Sequence, residues 1–239
     1  MPISLPRLNL QTICHDLLAL LYPEECQACA GELAQSEHLI CSQCRIKLPY
    51  TDFHLSPADN ALHRVLWGRV PVRLAVAYLK FQEKGRVQRL LHNLKYKGQQ
   101  EIGEQLGKWF GGRLGQQEAF STVDGVVPVP LHKSKLQQRG YNQVSGYAKA
   151  IAEALHVPCL EGVLLKKKSI GTQTHKNRQE RWEAMRSLYS VADASSVQGK
   201  HLLLVDDVIT TGATLEACAQ ALLEAGASHI SIATIAYTL

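Results

Sequence analysis

The sequence predicts an α/β protein, with a mostly parallel sheet and flanking helices, preceded by a small N-terminal four-cysteine module. Three observations carry this. Short apolar runs alternate with segments of helical periodicity through the later part of the 239 residues, the pattern of β–α–β units joined by right-handed crossovers. His201–Thr214 reads HLLLVDDVITTGAT: an apolar run as in a strand buried on both faces, two carboxylates, a Thr- and Gly-rich turn, and then a helical pattern. Near the N-terminus stand two Cys-x-x-Cys pairs, Cys26/Cys29 and Cys41/Cys44, spaced as metal knuckles.

Composition bounds the rest. Hydrophobic content of 46% and charged content of 20% are ordinary for a globular chain with a real core. A net charge of +5 is too mild to argue for nucleic acid by itself. Its distribution is uneven: residues 130–186 hold eleven Lys/Arg against four Glu, a net +7 within that +5 chain. No run reaches the ~18 apolar residues of a membrane span, and Met1–Asn9 does not read as a signal peptide. A cytoplasmic location is therefore expected.

The elements follow in order. Leu10–Leu21 has helical spacing and reads as an amphipathic helix, packing on its own protein or, as a lesser reading, on a partner or membrane surface. The eleven residues between the Cys pairs suffice for a hairpin that closes a tetrahedral four-sulfur site for Zn²⁺. Adjacent half-cystines would make strained disulfides, and a full thiolate set leaves no open position, so the metal reads as structural. The Leu33–Cys41 hairpin carries Glu37 and no Lys or Arg. Cys14, Cys159 and Cys218 sit in apolar contexts and read as core. Pro49 to about Pro71 is loop-like, Val70–Phe81 one or two strands, Gly85–Leu94 a helix, and Glu101–Leu114 another. Lys95 and Lys97, straddling Tyr96, have the chemistry to contact an anion but read by default as a solvated basic turn. Val123–Pro130 is a buried strand, residues 131–143 a basic loop, Val144–Leu155 a helix and Val157–Leu165 a strand. Lys166–Arg186 is a long basic segment without a strand pattern. A helix to Ala225 with Gly226 as its cap, then a strand His229–Tyr237, complete the chain. The expected organisation is 1–50 for the N-terminal helix and four-cysteine zinc-binding module, 51–120 for a connecting or hood region, and 121–239 for the main α/β domain.

The chemistry concentrates at HLLLVDDVITTGAT. After a buried strand, the backbone N–H groups of the turn and the positive end of the following helix dipole can hold an anion. Gly212 permits close approach, and Thr210, Thr211 and Thr214 add hydroxyl donors. A phosphate alone needs no carboxylates, whereas a ribose phosphate does, because Asp206 and Asp207 can accept from vicinal sugar hydroxyls. A signalling receiver domain also places an acidic pair after a strand, but it requires a later Asp and Lys, and neither occurs after Asp207.

That string resembles the ribose-5-phosphate motif of type I phosphoribosyltransferases, which bind 5-phosphoribosyl-1-pyrophosphate (PRPP), usually with Mg²⁺. The whole chain resembles the competence protein F (ComF-like) family, through Leu21-Tyr22-Pro23 before the Cys pairs, the two knuckles, LKYKG at 94–98, VPVPLH at 127–132, RGYNQ at 139–143 and the acidic string. The resemblance implies a zinc ribbon ahead of a type I phosphoribosyltransferase-like domain and, for some members, a part in single-stranded DNA uptake during natural transformation, alongside other competence proteins. It implies that Asp206 and Asp207 hold the ribose hydroxyls and Mg²⁺, and that Thr210, Thr211, Gly212, Ala213 and Thr214 hold the 5-phosphate. Arg139 and Lys133 are then the cations of the pyrophosphate loop. Gln173 and Arg181 fall on a closing loop, where the family's Asn is replaced by Ala184. Catalysis would rest on Asp206, Asp207 and Arg139. Two functions stay open at this point: a glycosyltransferase acting on an unidentified acceptor, and a non-catalytic PRPP-sensing or single-stranded-DNA- or partner-binding module.

Overall fold

The computed structural model describes residues 24–167 and 188–238, and the chain divides into two units, 1–48 and 49–239. In the first unit, Glu25 and Glu32 form an antiparallel bridge, and a short helix α1 (Ser42–Lys47) begins at Cys41, whose side chain accepts the Cys44 N–H. The expected helix Leu10–Leu21, and with it Cys14, lies outside the described residues.

The second unit opens with a 3₁₀ turn, Phe53–Leu55, and helix α2 (Ala61–Leu66), capped by Asn60 accepting the His63 N–H. Of the run expected as one or two strands, Ala75–Lys80 forms strand β1. Helix α3 (Arg86–Tyr96) buries Val87, Leu90, Leu91 and Leu94, which is the i, i+3, i+4, i+7 face of an amphipathic helix. Helix α4 (Glu101–Leu114) follows, then strand β2 (Gly125–Pro128).

Residues 131–143, read from sequence as a loop, contain a helix, α5 (Lys133–Arg139). His132 caps its start by accepting the Ser134 N–H, and Gly140 ends it at φ 76°, a backbone conformation that glycine adopts at no steric cost. None of its residues is buried, so it leaves no apolar periodicity to find. Helix α6 (Ser145–Ala154) comes next. The strand expected over 157–165 is mostly absent. Cys159 makes a single parallel bridge to Val126, and the regular strand β3 is Leu164–Lys166, antiparallel to β4 (Tyr189–Val191). Pro158 lacks an N–H, and Gly162 turns the chain at φ 78°. Strand β5 (His201–Ile209), helix α7 (Ala213–Glu224) and strand β6 (His229–Tyr237) end the chain.

The main sheet has the order β1-β6-β5-β2, with every neighbouring pair parallel. This is the mostly parallel α/β sheet with flanking helices that the alternating pattern predicts. Residues 51–120 supply its edge strand β1 and helices α2 to α4. Strands β5 and β6 are central and almost wholly buried, as in a sheet covered on both faces.

One packing feature governs the position of the site. Gly103, Gly107 and Gly111 form a stripe at four-residue spacing along α4, facing α6. A Cβ on Gly107 would stand 2.7 Å from the Tyr147 carbonyl oxygen, and one on Gly111 2.8 Å from the Ala154 Cβ. The two helices are therefore in near-backbone contact. The N-terminal end of α6, with the loop before it, is fixed against the sheet, and the Tyr147 hydroxyl donates to the Thr234 carbonyl of β6 at 3.1 Å.

Candidate functional site

Strand β5 runs four residues further than its apolar stretch, to Ile209, and stays paired with β6 over that length (Asp206 with Thr234, Val208 with Ala236). On its other side the pairing with β2 ends at Pro128 opposite Val205. Beyond the Val129 N–H to Val205 carbonyl bond the ladder stops because its next two groups turn elsewhere: the Val129 carbonyl accepts the Asn142 amide, and the Asp207 N–H donates to the Asp206 carboxylate. Asp206 and Asp207 thus lie in the strand at its carboxyl end, where the sheet is open toward the 129–144 segment. Parallel sheets hold their ligands at this end.

Asp207 is buried and Asp206 half-buried. The Asp207 N–H donates to Asp206 Oδ1 at 2.8 Å. Burial, and then the carboxylate beside it, push the Asp206 carboxyl up to about 7, against the pull of that N–H, Lys95 and Lys166. Asp207 Oδ2 receives the Gln143 side-chain amide at 2.7 Å and the Lys95 ammonium at 3.0 Å. Gln143 Oε1 in turn accepts from Arg139 at 2.8 Å, and the Arg139 guanidinium lies 5.0 Å from the Tyr96 ring centroid. A continuous polar line therefore runs from Asp207 through Gln143 to Arg139. It is closed by the segment bearing Lys95 and Tyr96, which the Tyr141 hydroxyl ties down by donating to the Leu94 carbonyl. Asn142 completes the loop geometry: it donates to the Val129 carbonyl at 3.0 Å and accepts the Val144 N–H at 3.2 Å.

The Thr-Gly turn is built as a cradle. Asp206 and residues Thr210–Leu215 line a concavity of about 50 Å³. Gly212 adopts φ 78° at the N-cap of α7, which an L side chain would resist. A Cβ there would also come within 3.2 Å of Leu66 and 3.4 Å of Arg69. Arg69 holds the turn from behind, donating to the Thr211 carbonyl and pairing with Glu216 in the first turn of α7. With that carbonyl held by a cation, the first-turn N–H groups of α7 remain to serve an anion. Thr210 and Thr211 are exposed. Thr214 is bonded through its hydroxyl to Tyr189, whose phenol burial pushes well above its ordinary range.

Lys133 is exposed and lines a separate, larger cleft of about 810 Å³ with Pro130, His132, Leu136 and Lys166. Burial, followed by the nearby Lys135, depresses the Lys166 ammonium. Gln173, Arg181 and Ala184 lie outside the described residues. Cys218 is buried as expected; Cys159 is only half-buried, with its thiol raised to about 11, by burial first and by Glu161.

The structure thus brings together Asp206, Thr210–Thr214, Asp207 and Arg139. It also adds Lys95, Gln143, Tyr96 and Arg69, which the sequence reading did not assign. The default reading of Lys95 as part of a solvated turn is corrected: its ammonium is paired inside the site, while Lys97 is exposed. Its position in the last turn of a strongly amphipathic helix, next to a tyrosine, was the available signal. For Arg69 no local signal exists.

In the first unit, the sulfurs of Cys26, Cys29, Cys41 and Cys44 all lie within 4.8 Å of one another, and Cys29 and Cys41 are 4.0 Å apart. A tetrahedral zinc site of four thiolates needs sulfurs roughly 3.8 Å apart, from Zn–S bonds of about 2.3 Å. N–H groups donate to three of the sulfurs: Gly31 to Cys29, Cys41 to Cys26, and Cys44 to Cys41. Burial raises the Cys26 thiol, but the N–H groups around it outweigh that and bring it down to about 7, which favours the thiolate a metal needs. Glu37 closes the hairpin by accepting the Ser42 hydroxyl and the Ser42 and Ala34 N–H groups. The donor set fits a closed four-thiolate metal centre.

Residues 145–239 match the phosphoribosyl transferase domain, a span that holds α6, both acidic residues and the cradle, while β1, β2 and Arg139 precede it. Over 230 residues the chain is 26% identical to the DNA utilization protein YhgH of Escherichia coli O157:H7, covering 95% of this chain and 96% of that protein. Competence protein F of Haemophilus influenzae is 23% identical over 227 residues (87% and 94% covered). The chain is a homologue of competence protein F. Competence protein ComFC of Bacillus subtilis is 27% identical over 221 residues (85% and 86% covered). The homology therefore extends over the cysteine module and the connecting region as well as the phosphoribosyl transferase domain. Among the described residues no helix is long and apolar enough to cross a membrane.

Proposed function

We propose that this competence protein F homologue binds PRPP at the carboxyl end of β5. The observation that carries the reading is the joining of an acidic pair to a left-handed glycine turn at the N-terminus of α7, with the Thr211 carbonyl of that turn already claimed by Arg69. Asp206 and Asp207 accept the ribose hydroxyls. The N–H groups of residues 211–214 and the hydroxyls of Thr210 and Thr211 take the 5-phosphate. Arg139, oriented by Gln143 and Tyr96, meets the pyrophosphate with a fork suited to two phosphate oxygens. Lys133, in the neighbouring cleft, and Arg181 are assigned to the pyrophosphate by the family resemblance alone. Mg²⁺, a hard cation that favours carboxylate and phosphate oxygens, would be held by Asp206 and Asp207 and would neutralise charge on the pyrophosphate. Zn²⁺ in the four-thiolate centre is structural.

As a phosphoribosyltransferase the protein would stabilise a ribosyl cation as pyrophosphate departs, with positioning and the cations at the pyrophosphate supplying most of the rate. An ionised Asp206 carboxylate could accept the acceptor's proton. A role in handling single-stranded DNA, with other competence proteins as partners, is supported by the names its relatives carry and by the basic segment 130–186. Four cysteines gathered as a metal set suit a reducing, cytoplasmic compartment, where thiolates persist as ligands.

Titration calorimetry with PRPP and Mg²⁺ tests the binding: Asp206→Ala should weaken it by about tenfold or more, since it removes a charged acceptor. Equal affinity in the variant would overturn the site. Release of labelled pyrophosphate with a panel of acceptors tests turnover. Binding without release from any of them would leave a PRPP-sensing module in place of an enzyme.

A further inference from the structure

Lys95 stands out within the basic turn that bears it. Tyr96 and Lys97 are exposed, whereas the Lys95 side chain is 23% exposed and its partner Asp207 9%. Extending a lysine into such a place costs rotamer freedom and part of its hydration, and the fold directs it there. The buried face of α3 and the Tyr141 hydroxyl on the Leu94 carbonyl fix the last turn of that helix so that the ammonium reaches Asp207. Gln143 brings a second donor to the same oxygen, Oδ2. An acidic pair without a counter-charge would repel a polyanionic phosphate ester, and a site of this kind ordinarily removes that repulsion with a divalent cation. Here the protein supplies a cation of its own.

Resting on the PRPP reading above, we propose that Lys95 is the built-in counter-cation of the acidic pair, so that the site accepts a phosphoribosyl ligand without a divalent cation bound beforehand. Lys95 acts through Asp207 and is a positioning residue. With Oδ2 engaged by Lys95 and Gln143, Asp207 offers its other oxygen to a sugar hydroxyl, and the pair presents one net negative charge fewer to the incoming phosphates. A divalent cation then adds to the grip on pyrophosphate but is not a precondition for binding.

Calorimetric titration of the full chain with PRPP, in EDTA and again in millimolar Mg²⁺, tests this with Lys95→Met, Lys95→Arg and the neighbouring control Lys97→Met. The wild type should bind in EDTA within about tenfold of its affinity in Mg²⁺. Lys95→Met should lose about tenfold or more in EDTA, the penalty of leaving a buried charge unpaired, and recover most of it in Mg²⁺. Lys95→Arg and Lys97→Met should stay close to the wild type in both buffers. Wild-type binding that appears only with Mg²⁺, or Lys95→Met matching the wild type in EDTA, overturns the inference while leaving PRPP binding intact. If the wild type takes no PRPP in either buffer, the binding reading and this inference fall together. Should Lys95→Met fail to fold, the wild-type comparison between the two buffers still decides.

Discussion

The two candidate centres of this chain are assembled on different length scales. In the cysteine module every ligand and every donor that shapes the set lies close in sequence, with the Cys41 N–H to Cys26 bond spanning 15 positions. The acidic pair of β5 depends on Gln143, 64 positions away, on Lys95 from a different helix, and on Arg69, whose partner Glu216 is 147 positions distant. Among the described residues the module buries few apolar side chains, Ala28, Leu39, Ile40 and Leu48 besides two of its cysteines, so the metal proposed for its four thiolates would supply much of its folding energy. The acidic pair sits on a sheet with a large apolar core, and there the packing holds Asp206 half-buried beside a second carboxylate. A local centre should fail alone and completely. A dispersed centre should weaken gradually and respond to changes made far from it.

The largest expected effect breaks the first half of that contrast. Stripping the metal with a chelator, or replacing Cys44 by Ser, should remove on the order of 10 kcal/mol from the module. Limited proteolysis should then cut within 24–48 while the 49–239 unit keeps its melting transition. Simultaneous loss of both units would show that the module is not an independent metal-folded body. A smaller effect should come from Gly107→Ala, since the added Cβ has a backbone oxygen at 2.7 Å and the helices must part. Overpacking of this kind costs about 1–3 kcal/mol. Because α6 carries the Gln143 loop, PRPP affinity should fall too, although Gly107 touches no ligand. A stability loss with unchanged affinity would mean that the loop is held independently of the helix pair.

The smallest effect concerns pH. The Asp206 carboxyl rises from its ordinary 3.8 to about 7 in the folded protein. Between those values the native state therefore holds more protons than the unfolded one. This contribution to stability is fully present below about pH 4 and is lost as pH rises through about 7. Asp206→Asn should therefore gain in melting temperature over the wild type at pH 8 and not at pH 4. Ligand binding should move the opposite way, strengthening as pH rises through 7 and the carboxylate becomes available. Identical melting curves for the variant and the wild type at both pH values would show that the strand end is less confining than the geometry requires.

Much of this was legible in the residues. The parallel sheet follows from buried apolar runs, the four-thiolate centre from two Cys-x-x-Cys pairs, and the cradle from a string in which acids, threonines and glycine are contiguous. Helix α5 was not legible, because a helix with no buried face and a histidine cap leaves no periodicity. The strand expected over 157–165 was over-read, since Pro158 and Gly162 interrupt a run that hydropathy alone makes continuous. The glycine stripe of α4 was visible in the sequence, but its meaning depends on which helix faces it.

By itself, then, the sequence determined what is contiguous: the metal knuckles, the acidic pair and the turn that follows it. The tertiary structure alone decided that Lys95 is a member of the site, that Arg69 backs the cradle, and that Arg139 reaches the acids through Gln143. The physical reason is one of range. Spacing along a chain fixes geometry only over a turn or two of backbone, while a charge placed from another helix depends on how closely two helices and a sheet can pack.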